Sequence, residues 1–297
     1  MSDSRTMTPL SEAQLLACVK ESGFPFELEV ARELVSMGFE VQLGYRFLDR
    51  SKKRDAEMDI IARESAVTMT QRGTPVRHSL RLVIECRDTS LPLVLFGVAN
   101  RKFVPQTDQM DADWPFCWID TSRDQGIPNK FSSIAFDESR SKLFRKRFHH
   151  QFDGDVRFST VTTVEWEKKR PKLHVTDRLR STLANFGAFV EDSRATWLNI
   201  TSAADFEKMI GGIPTVELTF LLLVHSGEQY RYSSEGALIR STRTSLFNTF
   251  HSERGVQFFV IDVVRSDDLQ AAITRIRNTA GLLLDHVLPS VLASGGP

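Results

Sequence analysis

The chain has 297 residues, 41% of them hydrophobic and 26% charged, enough to bury one large core or two modest ones. Lys+Arg and Asp+Glu both number 38, so attraction to a polyanion has to come from a local patch and not from overall charge. Cys18, Cys86 and Cys117 are an odd count without C-x-x-C spacing, which argues against a disulfide framework and a zinc knuckle and fits a reducing, cytoplasmic compartment. Residues 1–10 are mostly polar with no apolar h-region and read as a flexible tail. The most apolar run, Leu218 to Val224, is too short for about 30 Å of hydrocarbon, so no export or membrane signal is expected.

Ser11 is placed to cap a helix carrying Leu15, Leu16 and Val19, and Gly23-Phe24-Pro25 breaks it. From Phe26 to Met37, Phe26, Val30, Leu34 and Met37 form one stripe, which predicts an amphipathic helix ending at Gly38. The period then changes to two. Phe39 to Leu43 and Ala56 to Ala62 read as strands around a charged turn at Asp49 to Asp55, and a third strand is expected at Leu80 to Arg87 after a longer connection from Glu64 to His78. Prolines at 92, 105, 115, 128 and 171 divide residues 91–175, read as an insertion or elaboration within a single domain spanning 11–297. Helices are expected at Thr176 to Val190 and Ala203 to Ile210, strands at Val216 to Val224 and Gln257 to Val264, and a last helix at Ser266 to Val287 capped by Ser266. The fold class is α/β: a central mixed sheet flanked by helices.

An acidic residue inside an apolar strand is costly unless it is paired. Asp59 lies in Met58-Asp59-Ile60-Ile61, and Glu85 in Leu82-Val83-Ile84-Glu85-Cys86-Arg87. Alternation puts Glu85 and Arg87 on one face. If the strands are neighbours, Asp59 and Glu85 converge, and a divalent cation is a natural way to hold two carboxylates together. The bland alternative is a structural ion pair within the sheet.

These residues resemble the PD-(D/E)xK superfamily of restriction-endonuclease-like proteins. The counterparts are Glu27 (or Glu29) in Phe-Glu-Leu-Glu-Val-Ala, then Asp59, then Glu85-Cys86-Arg87, and the order helix, strand, strand, strand matches as well. The resemblance implies Mg²⁺ (or Mn²⁺) bound by Asp59, Glu85 and the backbone carbonyl of Cys86, with activated water cleaving phosphodiester bonds in DNA. A role in restriction or defence against foreign DNA would suit such a protein. Arg87 stands where the motif has Lys. A guanidinium stays protonated and cannot be the general base, yet it can bind a phosphate or a developing oxyanion. Lys52, Lys53 and Lys102 are the candidates for a lysine entering from elsewhere. The second reading is a pseudo-nuclease that binds nucleic acid or a protein partner without cutting.

Between residues 140 and 180 twelve basic residues face five acidic ones. Arg140, Lys142, Arg145, Lys146, Arg147, Lys168, Lys169 and Arg170 are the candidate nucleic-acid-binding set, able to supply affinity for a phosphate backbone but not base recognition. A solvated basic face is the alternative. His149-His150 lacks metal-ligand partner spacing, and Trp114, Trp118 and Trp166 read as core aromatics. No helix-turn-helix or zinc finger is recognisable, which leaves open a component that works as a homodimer or with a partner subunit.

Overall fold

The structure is a computed structural model and describes residues 11–69, 75–99, 116–119, 156–167, 170–174, 177–198, 215–233, 235–252 and 255–293. The helices are α1 (Glu12–Glu21), α2 (Phe24–Ser36), α3 (Asp177–Leu198) and α4 (Leu269–Ala293). The early strands are β1 (Glu40–Asp49), β2 (Arg54–Met69), β3 (Pro75–Arg87), β4 (Leu93–Ala99) and β5 (Phe116–Ile119). The later ones are β6 (Val156–Glu167), β7 (Arg170–His174), β8 (Thr215–His225), β9 (Gln229–Ser233), β10 (Leu238–Arg240), β11 (Arg243–Ser252) and β12 (Gly255–Arg265). The α/β expectation holds: a mixed sheet runs β1-β2-β3-β8-β12-β11-β6-β4-β9-β10, with β5 on β8 and β7 on β6, and helices lie on both faces.

The first helix begins where the sequence marks it, and the second begins two residues earlier than expected, at Phe24, with Pro25 in its first turn. Ser11 forms a capping box, its hydroxyl accepting from the Gln14 N–H while the Gln14 side chain accepts from the Ser11 N–H. Gly23, at φ 85, turns the chain into α2, whose residues Phe26, Val30, Ala31 and Leu34 are buried. Other boundaries shift. The β2–β3 hairpin is longer than the alternation suggested, with pairing from Ile60↔Ile84 out to Met69↔Pro75, so the expected connection from Glu64 to His78 is mostly strand. Ser266 does not cap the last helix; it opens a 3-10 turn, Ser266–Asp268, preceded by Arg265 with no side-chain cap bond. Residues 203–210 lie outside the described residues.

Described parts of residues 91–175 are strands of the same sheet, β4 to β7. The centre is a parallel group, β3 and β12 on either side of β8, with Val83↔Leu221 and Leu221↔Ile261 in register. Strands buried on both faces favour apolar residues at nearly every position, which explains the run Leu218 to Val224, interrupted by the buried Thr219. Its even-numbered members join α2 and α4 in one core, and Leu221 and Leu223 join α3 in the other.

One irregularity shapes the hairpin. Gly44, in the middle of β1, has φ 60, and it sits opposite Asp59 where the ladder skips from Leu43↔Ile60 to Tyr45↔Met58. Strict alternation would keep Val41, Tyr45 and Phe47 on one face, and likewise Ala62, Ile60 and Met58. Instead Val41, Ile60 and Ala62 pack with α2 and α4, whereas Tyr45, Phe47 and Met58 pack with α3. The hairpin therefore changes faces across the Gly44–Asp59 step, a rotation that a left-handed glycine accommodates without steric cost.

Candidate active site

Asp59 and Glu85 meet at the carboxyl end of β3, beside the end of β8. The β2–β3 ladder stops at Ile60↔Ile84, and beyond it the Cys86 N–H donates to Asp59 Oδ2 at 2.7 Å. A side-chain carboxylate thus replaces the next backbone acceptor, which holds Asp59 at the end of the pairing. Glu85 is 1% exposed in its side chain, and Asp59 is 19% exposed.

The Arg87 guanidinium joins them. Nη2 lies 2.8 Å from Glu85 Oε2, Nη1 lies 3.5 Å from Asp59 Oδ2, and Nη1 donates to the Cys86 carbonyl at 2.6 Å. Nε donates to Thr182 Oγ1 at 2.7 Å, and Nη2 donates to the same hydroxyl. On the far side of Glu85, Asn185 Nδ2 donates to Oε1 at 3.3 Å.

Thr182 and Asn185, which no motif in the sequence marks, come from α3. Thr182, Asn185, Phe189 and Asp192 follow at intervals of three, four and three, one face of a helix. Phe189 makes edge contacts with Tyr45 and Phe47, at 6.1 and 5.6 Å between ring centroids, and Asp192 pairs with Arg50 at 2.9 Å. That docking lays α3 along the rotated half of the hairpin and brings its polar end to the site. The sequence does carry a signal, since Thr and Asn on the buried side of an amphipathic helix need partners.

The electrostatics are those of crowded carboxylates. Burial, then the negative charge of Asp59, pushes the Glu85 carboxyl up to about 8, against the opposing pull of Arg87. Asp59 is also raised, chiefly by burial, although the Cys86 N–H and Arg87 oppose the shift. Glu27 in the first turn of α2 is half-buried and raised by burial and by Asp59, with Arg87 lowering it. Glu29 is exposed, so Glu27 is the helix acid that faces the site. The buried Cys86 thiol is raised by burial and by Asp59, Glu27 and Glu85. Asp59 and Glu85 pair with one guanidinium, and all three acids, Glu27 included, are pushed toward their protonated forms.

The oxygens expected to hold a cation are two carboxylates and a carbonyl, a donor set suited to Mg²⁺ or Mn²⁺. Each of the three already contacts Arg87. Among the described residues no group of three or more His, Cys, Asp or Glu side chains is arranged to hold a metal ion. The fit is therefore one of donor type: the oxygens suit the ion, and in this structure Arg87 engages all three of them.

Two hydrogen bonds fix the chain leaving the site. Ser226 Oγ donates to Asp88 Oδ1 at 2.7 Å and accepts from the Thr89 N–H at 2.8 Å. The adjoining Gly227 has no room for a side chain, since a Cβ would lie 2.7 Å from the carbonyl oxygens of both Thr89 and Leu91.

Of the candidate lysines, Lys52 pairs with Asp49 at 3.3 Å and Lys53 occupies a turn with φ 50. Lys102 lies outside the described residues. So do Arg140, Lys142, Arg145, Lys146, Arg147, Lys168 and Lys169 of the candidate nucleic-acid-binding set, together with His149, His150 and Trp114. Arg170 is described, exposed at the start of β7. Among the described residues no helix is long and apolar enough to cross a membrane. Comparison of the chain with family models, with curated proteins and with solved structures finds no match.

Proposed function

We propose that the chain is a restriction-endonuclease-like, PD-(D/E)xK-type nuclease that hydrolyses phosphodiester bonds in DNA with a divalent cation, in keeping with a part in restriction or defence. The observation that carries this reading is the meeting of Asp59 and Glu85, from adjacent strands, on one cationic group beside the Cys86 carbonyl. Glu27 stands within electrostatic reach of Asp59 and Arg87, in keeping with the resemblance to that superfamily.

In this reading Asp59, Glu85 and the Cys86 carbonyl would hold Mg²⁺ or Mn²⁺, which would supply an activated water and charge neutralisation. Arg87 binds the phosphate through its planar fork and stabilises charge developing on the phosphoryl oxygens. It takes no proton. Asn185 orients Glu85 through Oε1, and Asp59 keeps its position through the Cys86 N–H.

The test is cleavage of plasmid and linear DNA with Mg²⁺ or Mn²⁺ by the natural chain and by Asp59→Ala and Glu85→Ala. Cleavage that needs the cation and disappears in both variants is expected; undiminished cleavage by both removes the proposal. The second reading, a pseudo-nuclease that binds nucleic acid or a protein partner, has its own support in the engagement of all three expected ligands by Arg87. It predicts DNA binding without cleavage, or stable association with a partner subunit, under every cation condition.

A further inference from the structure

Arg87 reaches the same three oxygens that the proposed cation would need. Its Nη1 contacts the Cys86 carbonyl and Asp59 Oδ2, and its Nη2 contacts Glu85 Oε2. The group is held there by a contact that plays no part in binding a metal: the buried Thr182 hydroxyl accepts from both Nε and Nη2. The side chain is also 28% exposed, so it borders solvent and has an outlet.

Two cations cannot share one small set of acceptors, because their mutual repulsion adds to the loss of each one's hydrogen bonds or coordination. We infer that Arg87 and a divalent cation are alternative occupants of the oxygens of Asp59, Glu85 and Cys86, with Thr182 as the anchor that favours the arginine-filled state. The inference rests on the nuclease reading and adds to it a means of regulation. In the resting site the guanidinium takes the place of the metal. A phosphodiester brings the negative charge that draws the guanidinium outward, and its departure frees the carboxylates for the cation. Metal and DNA then bind cooperatively, since each stabilises the open arrangement, and linkage makes the effect equal in both directions.

This coupling separates Arg87 from a motif lysine that remains beside the metal. It also gives Thr182, on a different element, a role as a positioning residue. Thr182 touches neither metal nor substrate in the scheme, and its effect passes through the position of Arg87.

The probe is Mn²⁺, followed at pH 8 by the electron paramagnetic resonance of the free ion, with and without a short DNA duplex. This reports binding whether or not cleavage occurs. The natural chain is expected to bind Mn²⁺ weakly alone and at least tenfold more tightly with DNA. Arg87→Met should bind it at least tenfold more tightly than the natural chain without DNA and gain little from the duplex. Thr182→Val keeps the guanidinium but removes its anchor, so it should fall between the two, and it serves as the test should Arg87→Met fail to fold. Asp59→Ala should abolish binding in either background.

Equal or weaker Mn²⁺ affinity in Arg87→Met and Thr182→Val, with binding still lost in Asp59→Ala, overturns the competition while leaving the metal site and the nuclease reading intact. If none of the proteins binds Mn²⁺, even with DNA, the metal site itself is refuted and the inference goes with it.

Discussion

Replacing Glu85 by Gln should make the protein more stable at mildly alkaline pH. Glu85 is almost wholly buried, and its carboxyl is pushed up to about 8 by burial and by Asp59. The unfolded chain releases that proton near the ordinary glutamate value of 4.5. Between these values the native state holds a proton that the unfolded state has lost, so stability falls as pH rises through the window. Below about 6.5 the signal is obscured by His225. Its buried ring is lowered to about 4, so the unfolded state takes up the proton first and stability rises with pH in that range. From pH 6.5 to 8 Glu85 dominates, and linkage at about 1.4 kcal/mol per pH unit, reduced as the group approaches half-titration, gives a loss of roughly 1.5 kcal/mol. Gln resembles the protonated acid in shape and cannot ionise. Urea unfolding in EDTA at several pH values should therefore show a difference between Glu85→Gln and the natural chain that grows by about 1.5 kcal/mol across the window. A constant difference, or a natural chain that gains stability on going to pH 8, would show that Glu85 ionises normally and that the site is not starved of positive charge.

Two further perturbations test the scaffold. Leu82 is fully buried between α2, α4 and the sheet, so Leu82→Ala should cost about 2–5 kcal/mol in the same unfolding experiment, and a loss well under 1 kcal/mol would contradict the packing. Gly44→Ala puts a side chain on a left-handed residue with Glu57 Oε1 only 3.2 Å from the new Cβ. It should cost about 1–2 kcal/mol, because the residue is forced into a strained conformation or the step at Asp59 is unwound. A neutral or stabilising result would mean that the hairpin does not need the turn of faces at this point.

The central features of the site were legible because they concern burial. Charged residues inside apolar strands announce themselves, and Asp59 and Glu85 meet as their placement suggested. The stripe of α2 was equally plain, since Phe26, Val30 and Leu34 repeat at helical spacing and are buried together. The role of Arg87 was harder to read. Its replacement of Lys is visible in one dimension, but its reach back to the Cys86 carbonyl depends on a rotamer fixed by Thr182, 95 residues away. Strands β9 to β11, between His225 and Gly255, carry little signal in the sequence, because short polar segments such as Gln229–Ser233 lack strong apolar alternation. Their pairing is supported by contacts distant in sequence, including the parallel register of β9 with β4.

The crossing of the β1–β2 hairpin at Gly44 has a consequence for how the molecule comes apart. Residues on one side of the step are sealed under α2 and α4, and those on the other side under α3. Neither helical layer can peel away without pulling on a ribbon whose other end is clamped by the opposite layer. The hairpin thus acts as a rivet through the sheet, uniting the two cores in one cooperative unit. Asp59 sits at the waist of that rivet, its carboxylate fastened to the Cys86 N–H of the neighbouring strand, so the acid of the site is set where the two layers are joined.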